Sequence, residues 1–362
     1  MPLAFLLAAG LVSWAADAGS VAHLRASTYA ASAQHECSVD GLADGGFVVT
    51  WSSRKQEDGD AGVYLQRFDH DGIAIGAETR VNLWSRSQQV TPSIAALPSG
   101  GAIVVWASFA QDGDAGAIVA RRFDAAMRGG DEALVNSTTA GDQHDPVAAV
   151  SNAGATLVVW VSDDALDRGS IRGRLAAADG RWQPELTIAE GEGQRRAPSV
   201  AAGANDDWIV TWTEQRTPAS DPVVCRAKLD GEGAIVSHHE LLAEDAYEAA
   251  VAAVGAGFVV AWCEPFADGH AVFVQLLDTD GCPAGPPTLA GTGAAATVGA
   301  APDGFVVAWN AEDDGSARIA LRRYGVEGAP RGPAALLTAG LPHEQALRAA
   351  CGTRRIADLG DR

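Results

Sequence analysis

The sequence has few cysteines and methionines, five and two in 362 residues, and no CxxC pair. That number and spacing exclude a disulfide framework and a zinc knuckle. Basic residues are also short, 26 Lys and Arg against 46 Asp and Glu, for a net charge of -20. Nucleic acid and anionic membrane both need a positive surface, so neither is the main partner. No HExxH, GxSxG or P-loop is present, which removes the commonest metalloprotease, α/β-hydrolase and nucleotide-binding signatures. Helical period is nearly absent; the one stretch that shows it, Leu341–Ala350, aligns with a repeated strand instead. The N-terminal run Met1–Ala18 has the small residues of a secretory signal but no Lys or Arg before its apolar part. It is too short to span a bilayer and aligns with the internal repeat, so it is read as part of that repeat.

Glycine (41), proline (16) and tryptophan (10) are plentiful, and hydrophobic residues make up 47% of the chain. Six segments end in one apolar run closed by tryptophan: GGFVVTW at Trp51, then the runs at Trp106, Trp160, Trp212, Trp262 and Trp309, at intervals of 55, 54, 52, 50 and 47 residues. Pro92, Pro146 and Pro198 stand at one fixed distance before Trp106, Trp160 and Trp212. Each unit holds four strand-like pieces. A small apolar strand such as Pro92–Leu97 is followed by the tryptophan run, an alternating strand such as Gly62–Asp69, and a short fourth such as Thr79–Asn82. Gly- and Asp-rich turns separate them. Four antiparallel strands in about 40 to 50 residues are the signature of a β-propeller blade.

The sequence therefore predicts an all-β fold, a propeller of four-stranded antiparallel blades forming one domain over residues 1–362. Its units end near Trp14, Trp51, Trp106, Trp160, Trp212, Trp262 and Trp309. Seven blades are expected, with six or eight as the neighbouring counts. Residues 341–362 are expected to close the ring against the N-terminal segment.

The stretch Gly45–Leu97 (GGFVVTW…QRFD…TRVN…PSIAAL) resembles the tandem tryptophan-containing repeats of large secreted bacterial surface proteins, which occur alongside haemolysin-type calcium-binding segments. The resemblance covers about residues 3–337. It implies a propeller, an extracellular or cell-surface location, and adhesion or ligand binding, and it carries no catalytic residue. The later units depart from its pattern in the turn after tryptophan, at Thr213–Pro222 and Cys263–His270.

Asp58, Asp60, Asp112 and Asp114 alternate with glycine in the turns after Trp51 and Trp106. Carboxylates so spaced suit Ca²⁺, a hard cation that takes six to eight oxygens, or simply form a hairpin turn. Gln89 and Gln143, the latter beside His144, sit in the links between units on the same face, where amides bind hydroxyl-rich ligands or satisfy buried backbone. The recurring tryptophans and Trp208 read as core, whereas Trp84 and Trp182 lie outside the repeat position and could stack on a sugar ring. Arg195 and Arg196 stand between two units with no evident acid partner. The leading expectation is a non-catalytic module presenting one propeller face to a carbohydrate or a surface protein. The alternatives are a structural spacer, or a glycoside hydrolase or lyase with a central site.

Overall fold

The structure, a computed structural model, describes residues 5–8, 11–16, 20–29, 31–56, 60–163, 168–267, 269–313 and 316–337. Every described element is a β-strand, and none of the described residues forms a helix long and apolar enough to cross a membrane. Six four-stranded antiparallel sheets follow one another at residues 34–80, 89–134, 142–189, 194–244, 247–292 and 294–337, each a meander in chain order. They are blades 1 to 6 of a β-propeller. A three-stranded sheet, Phe5–Ala8, Leu11–Ala16 and Ser20–Arg25, precedes them. Among the described residues complete blades number six, one fewer than the leading expectation and within its range. The expected closing segment, residues 341–362, lies outside the described residues.

The first strand of each blade lies beside the first strand of the next, which places Gln34–Gly41, Gln89–Ala96, Asp142–Val150, Gln194–Ala202, Tyr247–Val254 and Ala294–Ala301 around the axis. The second strands are buried on both faces, because a blade is packed between two others. That is why they read as continuous apolar runs and not as alternation. Phe47, Val48, Val49 and Trp51 are all fully buried. Their side chains divide by parity. Val48 packs with Ile94, Val104 and Trp106 of blade 2, while Val49 and Trp51 pack with Leu24, in the last strand of the first sheet, and with Ala26 just after it. The other junctions repeat this division, and Trp106, Trp160, Trp212, Trp262 and Trp309 each face the preceding blade. Trp208 is also fully buried. The packing role read from the repeat is thus what these indoles have.

Burial leaves each indole N–H in need of an acceptor. Trp106 Nε1 donates to Gln89 Oε1 at 2.9 Å, and Trp160 Nε1 to Gln143 Oε1 at 3.1 Å. In blade 5 Ala246 takes the glutamine's place, and Trp262 donates to Glu264 Oε1 at 2.7 Å. Gln89 and Gln143 are therefore wholly buried parts of the core. The sugar-binding expectation for both is corrected: their acceptor oxygens are spent on tryptophan.

Candidate functional site

All six inner strands share one irregularity. The pairing with the second strand slips between His35 and Ser38, Val90 and Ser93, His144 and Val147, Arg196 and Ser199, Tyr247 and Ala250, and Ala294 and Thr297. Inside each slip one non-glycine residue adopts left-handed backbone: Glu36 (φ 53°), Thr91 (50°), Asp145 (50°), Ala197 (50°), Glu248 (53°) and Ala295 (55°). Such a residue costs about 1–2 kcal/mol, and bulges of this kind re-aim side chains. The neighbouring blade helps to hold them. Glu36 Oε2 accepts the Thr91 N–H at 2.8 Å, and Thr213 Oγ1 accepts the Glu248 N–H at 2.9 Å. Two positions further on, Ser38, Ser93 and Ser199 accept N–H groups of Ile94, Ala148 and Val251 from the next inner strand.

The six bulges lie together at one mouth of the axis. Gln34 pairs with Ser53 near the end of the second strand, so this is the face of the second turns and of the links between blades. Three of the six ring residues are carboxylates, Glu36, Asp145 and Glu248, on alternate blades. All are half-buried.

Their surroundings differ. His35 Nδ1 lies 3.3 Å from Glu36 Oε2, and Arg54 Nε donates to His35 Nε2 at 3.2 Å. That nitrogen thus carries the lone pair, and Nδ1 carries the proton that faces Glu36. Burial raises the Glu36 pKa, but His35, the Thr91 N–H and the Ser52 hydroxyl outweigh it and hold it below the usual range. His144 Nδ1 lies 3.0 Å from Asp145 Oδ2 and its Nε2 3.2 Å from Asp163 Oδ2, with Arg196 donating to Asp163 Oδ1 at 2.7 Å. Burial disfavours the imidazolium, yet Asp145 and Asp163 together raise the His144 pKa to about 9. Beside Glu248, the Tyr247 hydroxyl lies 2.6 Å from His270 Nδ1.

Arg195 and Arg196 do have acid partners, which the sequence did not reveal. Arg196 takes Asp163, and Arg195 Nε lies 3.0 Å from Glu214 Oε2, with both of those side chains almost fully buried. Of the residues expected to bind ligand, only His144 belongs to this mouth. Trp84 is half-buried in the link after blade 1, with Arg86 over its ring at 5.6 Å. Trp182 opens the outermost strand of blade 3, with Arg174 at 5.9 Å. Neither stands on an inner strand, and cations cover the rings that were expected to stack on sugar.

Asp58 lies outside the described residues. Asp60 Oδ2 accepts from Gln88 Nε2 at 2.7 Å, Asp112 Oδ2 from Asn136 Nδ2 at 2.9 Å, and Asp114 Oδ2 from the Gly141 N–H at 3.0 Å. These aspartates tie each second turn to the link between its blade and the next. Among the described residues no three His, Cys, Asp or Glu side chains converge as a metal ion requires.

No protein-family model and no curated protein matches the chain. Solved structures do. The Penicillium chrysogenum α-L-arabinanase complexed with arabinobiose is similar at TM-score 0.59 and 12% identity, over 82% of this chain and 94% of that one. The GH93 α-L-arabinofuranosidase of Fusarium graminearum, also with arabinobiose, is similar at TM-score 0.55 and 13% identity, over 80% and 92%. A Dyadobacter fermentans protein of unknown function is similar at TM-score 0.55 and 11% identity, over 84% and 93%. At such identities the likeness is one of fold. It corrects the expectation of a non-catalytic module, because two of these three similar propellers are glycoside hydrolases by name. Of the resemblance drawn from the repeat, the propeller stands.

Proposed function

We propose that the protein is a glycoside hydrolase whose active centre is the axial mouth ringed by Glu36, Asp145 and Glu248. The observation that carries this reading is the placement of three half-buried carboxylates at one register position on alternate inner strands. Glycoside hydrolysis needs a carboxylate anion on one side of the scissile bond and a protonated carboxyl on the other. Glu36 faces a histidine N–H, which favours the anion. In the proposed mechanism Glu36 is the anion that attacks the anomeric carbon or activates water. Glu248, which follows Tyr247 where the other two carboxylates follow a histidine, is assigned the proton that goes to the leaving oxygen. Asp145 stabilises the positive charge that develops on the sugar ring. The similar arabinanase and arabinofuranosidase make arabino-oligosaccharides the first substrate class to test.

The test is release of reducing sugar from arabinan, arabinobiose and a panel of other oligosaccharides by the purified protein. Glu36→Gln and Glu248→Gln should each lower kcat by about 10³-fold or more with the fold intact, in the range seen for loss of a catalytic group. Hydrolysis unchanged in both variants, or none by the wild type on any glycan, overturns the assignment.

A further inference from the structure

Blades 1 and 3 carry the same device with one charge reversed. In each, a histidine precedes the left-handed carboxylate, His35–Glu36 and His144–Asp145. In each, the histidine's far nitrogen meets the residue three places beyond the repeat tryptophan. In blade 1 that residue is Arg54, which gives a hydrogen bond to His35. In blade 3 it is Asp163, which has no proton to give at neutral pH and takes one from His144. His144 therefore donates from both ring nitrogens, to Asp145 on its own strand and to Asp163 on the adjacent one, and Arg196 of blade 4 closes the row on Asp163. All four side chains are largely buried, with relative exposures of 16% for Asp145, 20% for His144, 14% for Asp163 and 26% for Arg196.

We infer that His144 is a positioning residue of this mouth: as an imidazolium clamped by Asp163, it fixes the rotamer of Asp145. The inference rests on the hydrolase reading given above. A neutral imidazole has one N–H and could serve only one of the two carboxylates. On losing its proton His144 would leave either Asp145 or Asp163 facing a lone pair, and the row would come apart. Arg196 acts in the opposite sense to Asp163, since its charge disfavours a second cation nearby. Against its burial, the two carboxylates hold the His144 pKa up at about 9.

The experiment follows the histidine Cε1 resonances of the full-length protein by NMR, with His144 assigned through His144→Gln. Glycan hydrolysis is measured in parallel from pH 5 to 10. Asp163→Asn should move the His144 midpoint down by about two pH units. In that variant kcat at pH 8 should fall tenfold or more, while kcat at pH 6 stays within about twofold and KM changes little. Arg196→Gln should move both the midpoint and the alkaline limb upward, so the proposal does not depend on one variant folding. A pH profile unmoved in both variants while the NMR midpoint shifts overturns the positioning role and leaves the hydrolase reading intact. A wild type that hydrolyses no glycan overturns both.

Discussion

Glu214 and Glu264 occupy the same place in successive blades, two residues beyond the repeat tryptophan, and take different partners. Glu264 accepts the indole N–H of Trp262, whereas Glu214 is paired with Arg195, which stands where blades 2 and 3 have Gln89 and Gln143. In those two blades the position two beyond tryptophan is serine, Ser108 or Ser162. Each solution is self-consistent and none can be exchanged in part. Glu214→Ser should therefore cost about 3–5 kcal/mol by stranding a buried guanidinium. The double variant Arg195→Gln with Glu214→Ser, which restores the blade 2 pattern, should recover most of it. Urea unfolding of the two variants checks this, and equal losses in both would refute it.

Gln89 is the acceptor for the buried Trp106 N–H. Gln89→Leu keeps much of the volume and removes the acceptor, so it should cost about 1–3 kcal/mol. Trp106→Ala, which empties the junction between blades 1 and 2, should cost about 3–5 kcal/mol. Thermal or urea unfolding reads both, and the order of the two losses is the prediction.

Ala197 has φ 50° and no side chain beyond Cβ to hold it there. Ala→Gly ordinarily destabilises a strand, but here it removes the left-handed penalty. Ala197→Gly should be neutral or stabilising by up to about 1 kcal/mol. A clear fall in Tm would mean that the bulge is not strained.

Stability should depend on pH at both ends. The folded-state pKa of His144 is raised from 6.5 to about 9, so its contribution is fully present below the unfolded value and is lost as pH rises through 9. It amounts to on the order of 3 kcal/mol. Glu36 is lowered despite its burial, so its contribution is present above the ordinary carboxylate pKa and is lost as pH falls through the folded one. Urea midpoints between pH 6 and 10 should fall for the wild type and stay flatter for His144→Gln.

The repeat was legible because packing wrote it into the chain. A strand pressed between two blades must be apolar at every position, and an indole at its end recurs wherever that junction recurs. The Asp-Gly turns were equally visible, and they read either as a Ca²⁺ ligand set or as hairpins. Local composition cannot tell a ligand set from a hairpin, and in the fold Asp112 and Asp114 tie the turn to the link that leaves its blade. The mouth was not legible. Glu36, Asp145 and Glu248 stand in unlike local contexts, before Cys37, Pro146 and Ala249, and they share only a place in the repeat. Left-handed backbone is usually announced by glycine, and none of the six bulges has one. Asp163 and Arg196 come from different blades, so no spacing relates them.

The parity of the second strands has a consequence for how the ring loosens. Val48 and Val49 are bonded neighbours, yet each is packed against a different sheet. A cavity cut at Trp106 is thus felt on one face of blade 1, while the other face keeps its contacts. The cooperative unit is the gap between blades and not the blade itself, and Phe47–Arg54 belongs to two such gaps at once.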